Sequence, residues 1–251
     1  MAQTQYHFYC VIIGTEILNG RRVDKHFDFV KKALGVYNHT LFASFVIKDD
    51  TQLIEQTFRM IQNDPKAVMF SFGGIGSTPD DLTRAIASKV FRDSKPVVNQ
   101  QFLQDIIDKF GDDAYPHRIH MAEIPPYATL LKNPINNMSG FALDSRYFFV
   151  PGFPSMAHPM IDNAIKTYFA TPQIVYRKTL LADTSENQLI SLMQTVPKTI
   201  ELSSLPLFKD GKPHVELSLA SSDQQELQHY FSLFEQQLQK SAIAYRLIEN
   251  S

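Results

Sequence analysis

One cysteine in 251 residues excludes an internal disulfide. Cys10 sits in the apolar run Phe8-Tyr9-Cys10-Val11-Ile12-Ile13, where a buried, inert thiol is the expectation. No apolar run approaches the ~20 residues that span a bilayer, and no basic-then-apolar leader opens the chain, so the sequence reads as cytoplasmic and without membrane contact. An excess of basic charge is missing too. Twenty-four Lys and Arg stand against 26 Asp and Glu, for a formal net charge of −2, and no dense Lys/Arg tract occurs. That balance excludes a general polyanion binder, whose binding face is basic. Glycine is scarce toward the C-terminus, where Gly211 alone follows Gly152. A Gly-x-x-Gly clamp for nucleic acid cannot be assembled there, so no nucleic-acid partner is expected.

What remains is ordinary globular material, 44% hydrophobic and 20% charged, enough for one large domain or a medium domain with a small one. Short apolar runs alternate with helical periodicity. Residues 8–13, 41–47 and 67–72 read as strands. Between and after them lie helical stripes: Phe27, Val30 and Leu34; Ile54, Phe58 and Ile61; Leu82, Ile86 and Val90. Another helix carries Phe102, Ile106 and Phe110, short strands are expected at 129–131 and 147–150, and a helix with Met156, Met160, Ile161, Ile165 and Tyr168 closes this part. A β-α-β-α-β-α order predicts a mostly parallel sheet with helices on both faces.

Thr171-Pro172 marks a boundary between a domain of residues 1–170 and one of residues 171–251. The second part reads as strand (174–181), helix (186–196), two strands (199–205 and 214–220) around the turn Lys209-Asp210-Gly211-Lys212, and a helix (223–240). That last helix carries Leu227, Phe231, Phe234 and Leu238 on one face. Residues 242–248 offer one more strand. A small α+β domain results.

Ligands of open α/β sheets bind beyond the carboxyl ends of the strands. Those ends here carry Gly14-Thr15-Glu16, Lys48-Asp49-Asp50, the segment from Gly73-Gly74-Ile75-Gly76-Ser77-Thr78 through Pro79-Asp80-Asp81-Leu82-Thr83, and Pro151-Gly152-Phe153-Pro154. Three glycines let backbone approach a ligand closely. With Thr78 as helix cap and Pro79 in the first turn, the helix terminus forms a phosphate site. The competing reading is a capping box, Thr78-x-x-Asp81, that only finishes a helix. Asp80 and Asp81 beside a phosphate repel it unless a divalent cation such as Mg2+ bridges them, and Asp49 can supply a further carboxylate or be a solvated loop residue. Glu16 reads as a ligand-site residue or a salt-bridge partner, Asp24 as the cap of the first helix, and Arg21 and Arg22 as phosphate contacts or exposed loop residues. His117-x-x-His120 lacks a cysteine pair and does not make a zinc site.

Together these segments resemble the molybdopterin-binding MoaB/Mog superfamily, and within it the N-terminal region of the competence/damage-inducible CinA proteins. The resemblance rests on residues 14–20, Asp49-Asp50, residues 73–83, Met121-Ala122-Glu123-Ile124-Pro125, Asn133 and residues 151–154. It implies a three-layer α/β/α domain followed by a small KH-like domain. Its ligand site would use Gly14, Glu16, Gly73, Gly74, Gly76, Ser77, Thr78, Asn133, Pro151 and Gly152. Asp49 and Asp81 would be the catalytic and metal-holding carboxylates. In the CinA branch the implied activity is pyrophosphatase action on ADP-ribose and related dinucleotides with Mg2+, Mn2+ or Co2+. The alternative is a non-catalytic protein that binds molybdopterin or a nucleotide. Thr15 stands where the family carries Asp, Ser77 where it carries Pro, and His26 where it carries Asn, while Gly140-Phe141 only approximates Ala-Pro-Gly. The sequence stops before the deamidase domain of full CinA proteins, so that activity is not expected. Related proteins imply a homodimer.

Overall fold

The computed structural model describes residues 6–209 and 211–248. Its contacts divide the chain into one compact unit ending at Pro172 and another beginning at Gln173. In chain order the first contains β1 (His7–Ile13), α1 (Thr15–Leu18), α2 (His26–Gly35), β2 (Leu41–Ile47), α3 (Thr51–Gln62), β3 (Ala67–Phe72), α4 (Thr83–Arg92) and β4 (Val97–Val98). There follow α5 (Gln100–Phe110), two 3-10 turns (Gly111–Ala114 and Arg118–Ala122), β5 (Glu123–Ile124), β6 (Thr129–Leu131), β7 (Gly140–Leu143), β8 (Tyr147–Val150) and α6 (Pro154–Tyr168).

Six strands form one sheet in the order β2-β1-β3-β8-β7-β6. The first four run parallel, whereas β6, β7 and β8 pair antiparallel. Every residue of β3 and all but the first of β1 are buried, as unbroken apolar runs covered on both faces should be. One face packs Phe8, Cys10, Phe70 and Phe148 against Val30 and Leu34 of α2 and Ile161 of α6. The other packs Val11, Met69 and Phe149 against α3, α4 and α5 through Ile54, Phe58, Ile86 and Phe102. Cys10 is fully buried, and burial pushes its thiol up to about 12. The helices start where the chain offers acceptors: Asp24 takes the N–H groups of His26 and Phe27 at 2.7 and 3.1 Å, Asp50 that of Leu53 at 2.8 Å, and Asn99 that of Phe102 at 3.0 Å.

In the second unit β9 (Tyr176–Ala182), α7 (Ile190–Met193), β10 (Glu201–Lys209), β11 (Lys212–Ser221), α8 (Gln224–Lys240) and β12 (Tyr245–Ile248) build a fully antiparallel sheet, ordered β10-β11-β9-β12, with α8 across it. Leu227, Phe231, Phe234 and Leu238 of α8 pack on Leu180, Val215, Leu217 and Leu219. The helix expected over 186–196 is instead a 3-10 turn at Glu186–Gln188 and the four-residue α7. Leu189 is buried, and Leu192, Met193 and Val196 still pack on the core of this unit, so the expected apolar face is kept although the helix is broken. Of the expected turn at 209–212, Asp210 lies outside the described residues. No described helix is long and apolar enough to cross a membrane.

Candidate functional site

At the carboxyl ends of β1, β2, β3 and β8 lies a cleft of about 500 Å3. Its floor is the loop leaving β3. Gly73 and Gly74 have φ of +97° and +68°, and a Cβ on either would stand 2.3 Å from an oxygen, the Ile13 carbonyl or the Thr83 hydroxyl. Buried Thr83 holds this reversal, its hydroxyl donating to the Gly73 carbonyl and its N–H to the Gly74 carbonyl, both at 3.0 Å. Behind the next turn, Arg84 donates through one guanidinium nitrogen to the carbonyls of both Ile75 and Gly76. Its burial pulls the guanidinium below its ordinary range, while the charge of Asp81 acts in the opposite direction.

The carbonyls of residues 73–76 are thus engaged by Thr83 and Arg84. The N–H groups of Gly74, Ile75, Gly76 and Ser77 have no partner among the described residues, and all four residues line the cleft. Consecutive unpaired N–H groups on a glycine-rich turn make a concavity for an anion. The expected route to this property was different. Thr78 does not cap α4 and Pro79 is not its first residue: the helix begins at Thr83 behind Leu82. Thr83 and Arg84 tether the loop carbonyls, so the chain first closes a turn from Thr78 to Asp81, with the Asp81 N–H on the Thr78 carbonyl at 3.0 Å. One Asp81 oxygen then accepts both the N–H and the hydroxyl of Thr78, at 2.7 and 2.6 Å.

Asp49 faces the same cleft from the end of β2. Its Oδ2 accepts the backbone N–H and the hydroxyl of Thr15, each at 2.8 Å. Both carboxylates therefore have one oxygen committed to a threonine. Among the described residues no group of three or more His, Cys, Asp or Glu side chains is placed to hold a metal ion. Two half-committed carboxylates suit a divalent cation only when a bound phosphate completes its oxygen shell.

Glu16, Gly73, Gly74, Gly76, Ser77, Thr78, Asp81, Pro151 and Gly152 join Asp49 in lining the cleft. Gly14 and Asn133 do not. Gly14 precedes α1, and buried Asn133 ties the 133–138 turn, donating to Asn136 and the Met138 carbonyl and accepting from the Ile135 N–H. Arg22 is in the lining, 5.3 Å from the centre of the Phe153 ring, whereas Arg21 turns to Asn19 outside it. Of the apolar wall, Phe102, Phe110 and Met156 were legible as helix stripes and Met121 as part of a matching segment, whereas Met138 carried no signal. Arg84 and Arg118 were not anticipated; the one signal for Arg84 is its place directly after Thr83.

His26 lies beneath the Pro151–Phe153 corner. It stacks on Phe72 at 4.2 Å between ring centres, with Nε2 3.3 Å from the Gly152 carbonyl and Nδ1 3.2 Å from Nε2 of His158. Burial lowers the pKa of His26, and burial followed by the neighbouring His26 lowers that of His158 to about 4. Two neutral rings linked by one N–H therefore steady the corner carrying Gly152.

The chain belongs to the family described as probable molybdopterin binding domain, whose model matches residues 9–171. It is 28% identical over 244 residues to a CinA-like protein of Flavobacterium psychrophilum, covering 91% of this chain and 57% of that one. The chain thus spans little more than half the length of that relative. It is 27% identical over 234 residues to protein PAE0875 of Pyrobaculum aerophilum, covering 85% of this chain and 86% of the other. Among solved structures it is similar to the protein CinA with unknown function from Thermoplasma acidophilum, with a TM-score of 0.59 and 27% identity over 66% of this chain and 98% of that one.

Proposed function

We propose that this member of the molybdopterin-binding family binds a pterin or nucleotide through its phosphate groups at the loop of residues 74–78. The observation that carries this reading is the row of four partnerless N–H groups, held open by Thr83 and Arg84 on the carbonyl side. The phosphate sits on those N–H groups and on the hydroxyls of Ser77 and Thr78, and the flat ring lies against Phe102, Phe110 and Met138. Hydrogen bonds from charged or prealigned donors to phosphate are the strong ones, and a flat ring fills an apolar cleft. Calorimetric titration with molybdopterin, ADP and inorganic pyrophosphate tests the reading. Micromolar or tighter binding of at least one supports it, and no heat from any of the three overturns it.

A second reading is metal-dependent cleavage of a nucleotide phosphoanhydride such as that of ADP-ribose. Its support is that Asp49 and Asp81 line one cleft with the phosphate loop. A divalent cation arriving with the ligand would polarise a phosphoryl oxygen and lower the pKa of a bound water. Incubation with ADP-ribose and FAD in Mg2+, Mn2+ or Co2+ decides it: product formation favours the hydrolase, and tight binding without product favours the binding protein.

A further inference from the structure

The six-stranded sheet ends at β2, and no strand among the described residues pairs with its outer side. Its seven residues, Leu41-Phe42-Ala43-Ser44-Phe45-Val46-Ile47, include no charge and no proline, the usual means by which an edge strand is blunted. The Gly14 N–H reaches the Ile47 carbonyl at 3.0 Å, and alternation along the strand turns the main-chain groups of Ala43 and Phe45 to β1 as well. Those of Ser44 and Val46 point outward and make no backbone hydrogen bond among the described residues. An extra residue opposite the Phe8–Tyr9 step sets Phe42 apart, its ring 58% exposed and stacked on His7 at 4.1 Å, and leaves residues 43–47 regular. Helix α3 continues the apolar rim. Its Glu55 and Gln62 face α4, accepting from Lys89 at 2.7 Å and donating to the Val90 carbonyl at 2.8 Å. Leu53 and Met60, two turns apart and both exposed, occupy the opposite flank, which borders β2.

The geometry points to an interface between two copies of this chain, built on β2 and flanked by α3. A two-fold axis through Phe45, perpendicular to the sheet, sets Ser44 of one copy opposite Val46 of the other. Each such pair exchanges both of its N–H···O=C bonds, and the pairing stays within the regular stretch. No charge meets a like charge along the strand. Lys48, exposed just past the strand, comes alongside the bared Phe42 ring of the other copy, and an ammonium is attracted to an aromatic face. The same axis keeps both α3 helices on one face of the joined sheet, where Leu53 and Met60 meet their counterparts and leave water. The strand thus carries both halves of the match: outward donors and acceptors in its middle, and a ring and a lysine at its two ends. That self-complementarity selects a second copy over an unrelated strand. The interface does not depend on what the cleft binds.

Sedimentation equilibrium on the full chain at micromolar concentration should give a mass near twice 28.6 kDa. A lysine on the edge sets charge against charge across the axis, so Val46→Lys should weaken self-association at least ~10-fold. Met60→Lys, on the exposed flank of α3 and outside the strand, should weaken it in the same direction, and it carries the test if far-ultraviolet circular dichroism shows Val46→Lys unfolded. Phe208→Lys is the control. Phe208 is an exposed aromatic of β10, in the second unit, and its replacement should leave the mass unchanged. A monomer at micromolar concentration overturns the proposal. A trimer overturns it as well, since an isologous contact closes at two copies. So does a dimer that neither Val46→Lys nor Met60→Lys weakens, or one that Phe208→Lys dissociates, because the contact then lies elsewhere.

Discussion

Thr15 donates twice to a single oxygen of Asp49, through its backbone N–H and its hydroxyl, each at 2.8 Å. The resemblance leads one to expect a carboxylate at position 15, which would repel Asp49 in the absence of a cation; threonine instead satisfies it. This pair joins the end of β1 to the end of β2 without metal. Replacing the threonine by aspartate restores the repulsion. Thr15→Asp should lower the melting temperature in EDTA and recover more of it on adding Mg2+ than the unmodified protein does, since a bound ion stabilises the folded state by linkage. Thermal scans with and without Mg2+ check this. An equal Mg2+ response in both proteins would show that position 15 does not face the cation.

Arg84 makes the second test. Removing its guanidinium by Arg84→Met orphans the carbonyls of Ile75 and Gly76, at roughly 1–3 kcal/mol for each left unsatisfied in a buried setting. Urea unfolding should report that loss. Arg84→Lys keeps the charge but replaces the single guanidinium nitrogen that bridges two carbonyls with a differently shaped ammonium. It should fold more stably than the methionine variant and still bind pyrophosphate at least ~10-fold more weakly than the unmodified protein. Unchanged pyrophosphate affinity in both variants would separate Arg84 from the anion site.

Much of this architecture is legible in the sequence because burial on two faces leaves a simple mark. The apolar runs of β1 and β3 and the stripes Ile54-Phe58-Ile61 and Leu227-Phe231-Phe234-Leu238 fall where they were expected. What escaped notice depends on long-range pairing. β7 holds its place through contact with β8, and Gly140 and Phe141 alone carry no strand signal. At the site, Asp49, Asp81 and the glycines were legible as residue types at strand ends. The start of α4 was not, because Thr83 and Arg84 act on carbonyls up to ten residues upstream and override local capping chemistry. Asn133 matched a motif, yet its amide is spent on the 133–138 turn.

The His26–His158 pair predicts an acid-sensitive fold. Both rings titrate below the ordinary histidine value, His158 at about 4. The unfolded chain therefore binds more protons than the folded one at pH values between the two states' pKa values. Stability from this pair is fully present above about pH 6.5 and is lost as pH falls toward 4. His158→Phe retains a ring against Phe29, which His158 now stacks on at 3.9 Å, and removes one titrating group. Its melting temperature should fall less steeply between pH 6.5 and 4.5 than that of the unmodified protein. Parallel slopes in the two proteins would rule the pair out as the source.

The two carboxylates can be told apart by where each is anchored. Asp81 accepts two hydrogen bonds from Thr78 and lies just ahead of α4, where negative charge is favourable. Asp81→Asn weakens those bonds and removes the charge, so it should cost about 0.5–1.5 kcal/mol even without metal. Asp49→Asn also weakens two bonds, but it relieves repulsion among the acidic residues Glu16, Asp49, Asp80 and Asp81 gathered around one cleft, so its net effect in EDTA should be smaller. If both hold a cation brought by the ligand, each variant should lose the extra stabilisation that Mg2+ and ADP-ribose together confer on the unmodified protein, and any turnover with it. Melting temperatures in EDTA, in Mg2+, and in Mg2+ with ADP-ribose resolve the cases. If Asp81→Asn is destabilised yet keeps the full ligand response, Asp81 serves the turn alone. If both variants keep it, the cation reading fails for the pair, and Glu16 and Arg22, the other charged residues at the end of β1, become the groups to change next.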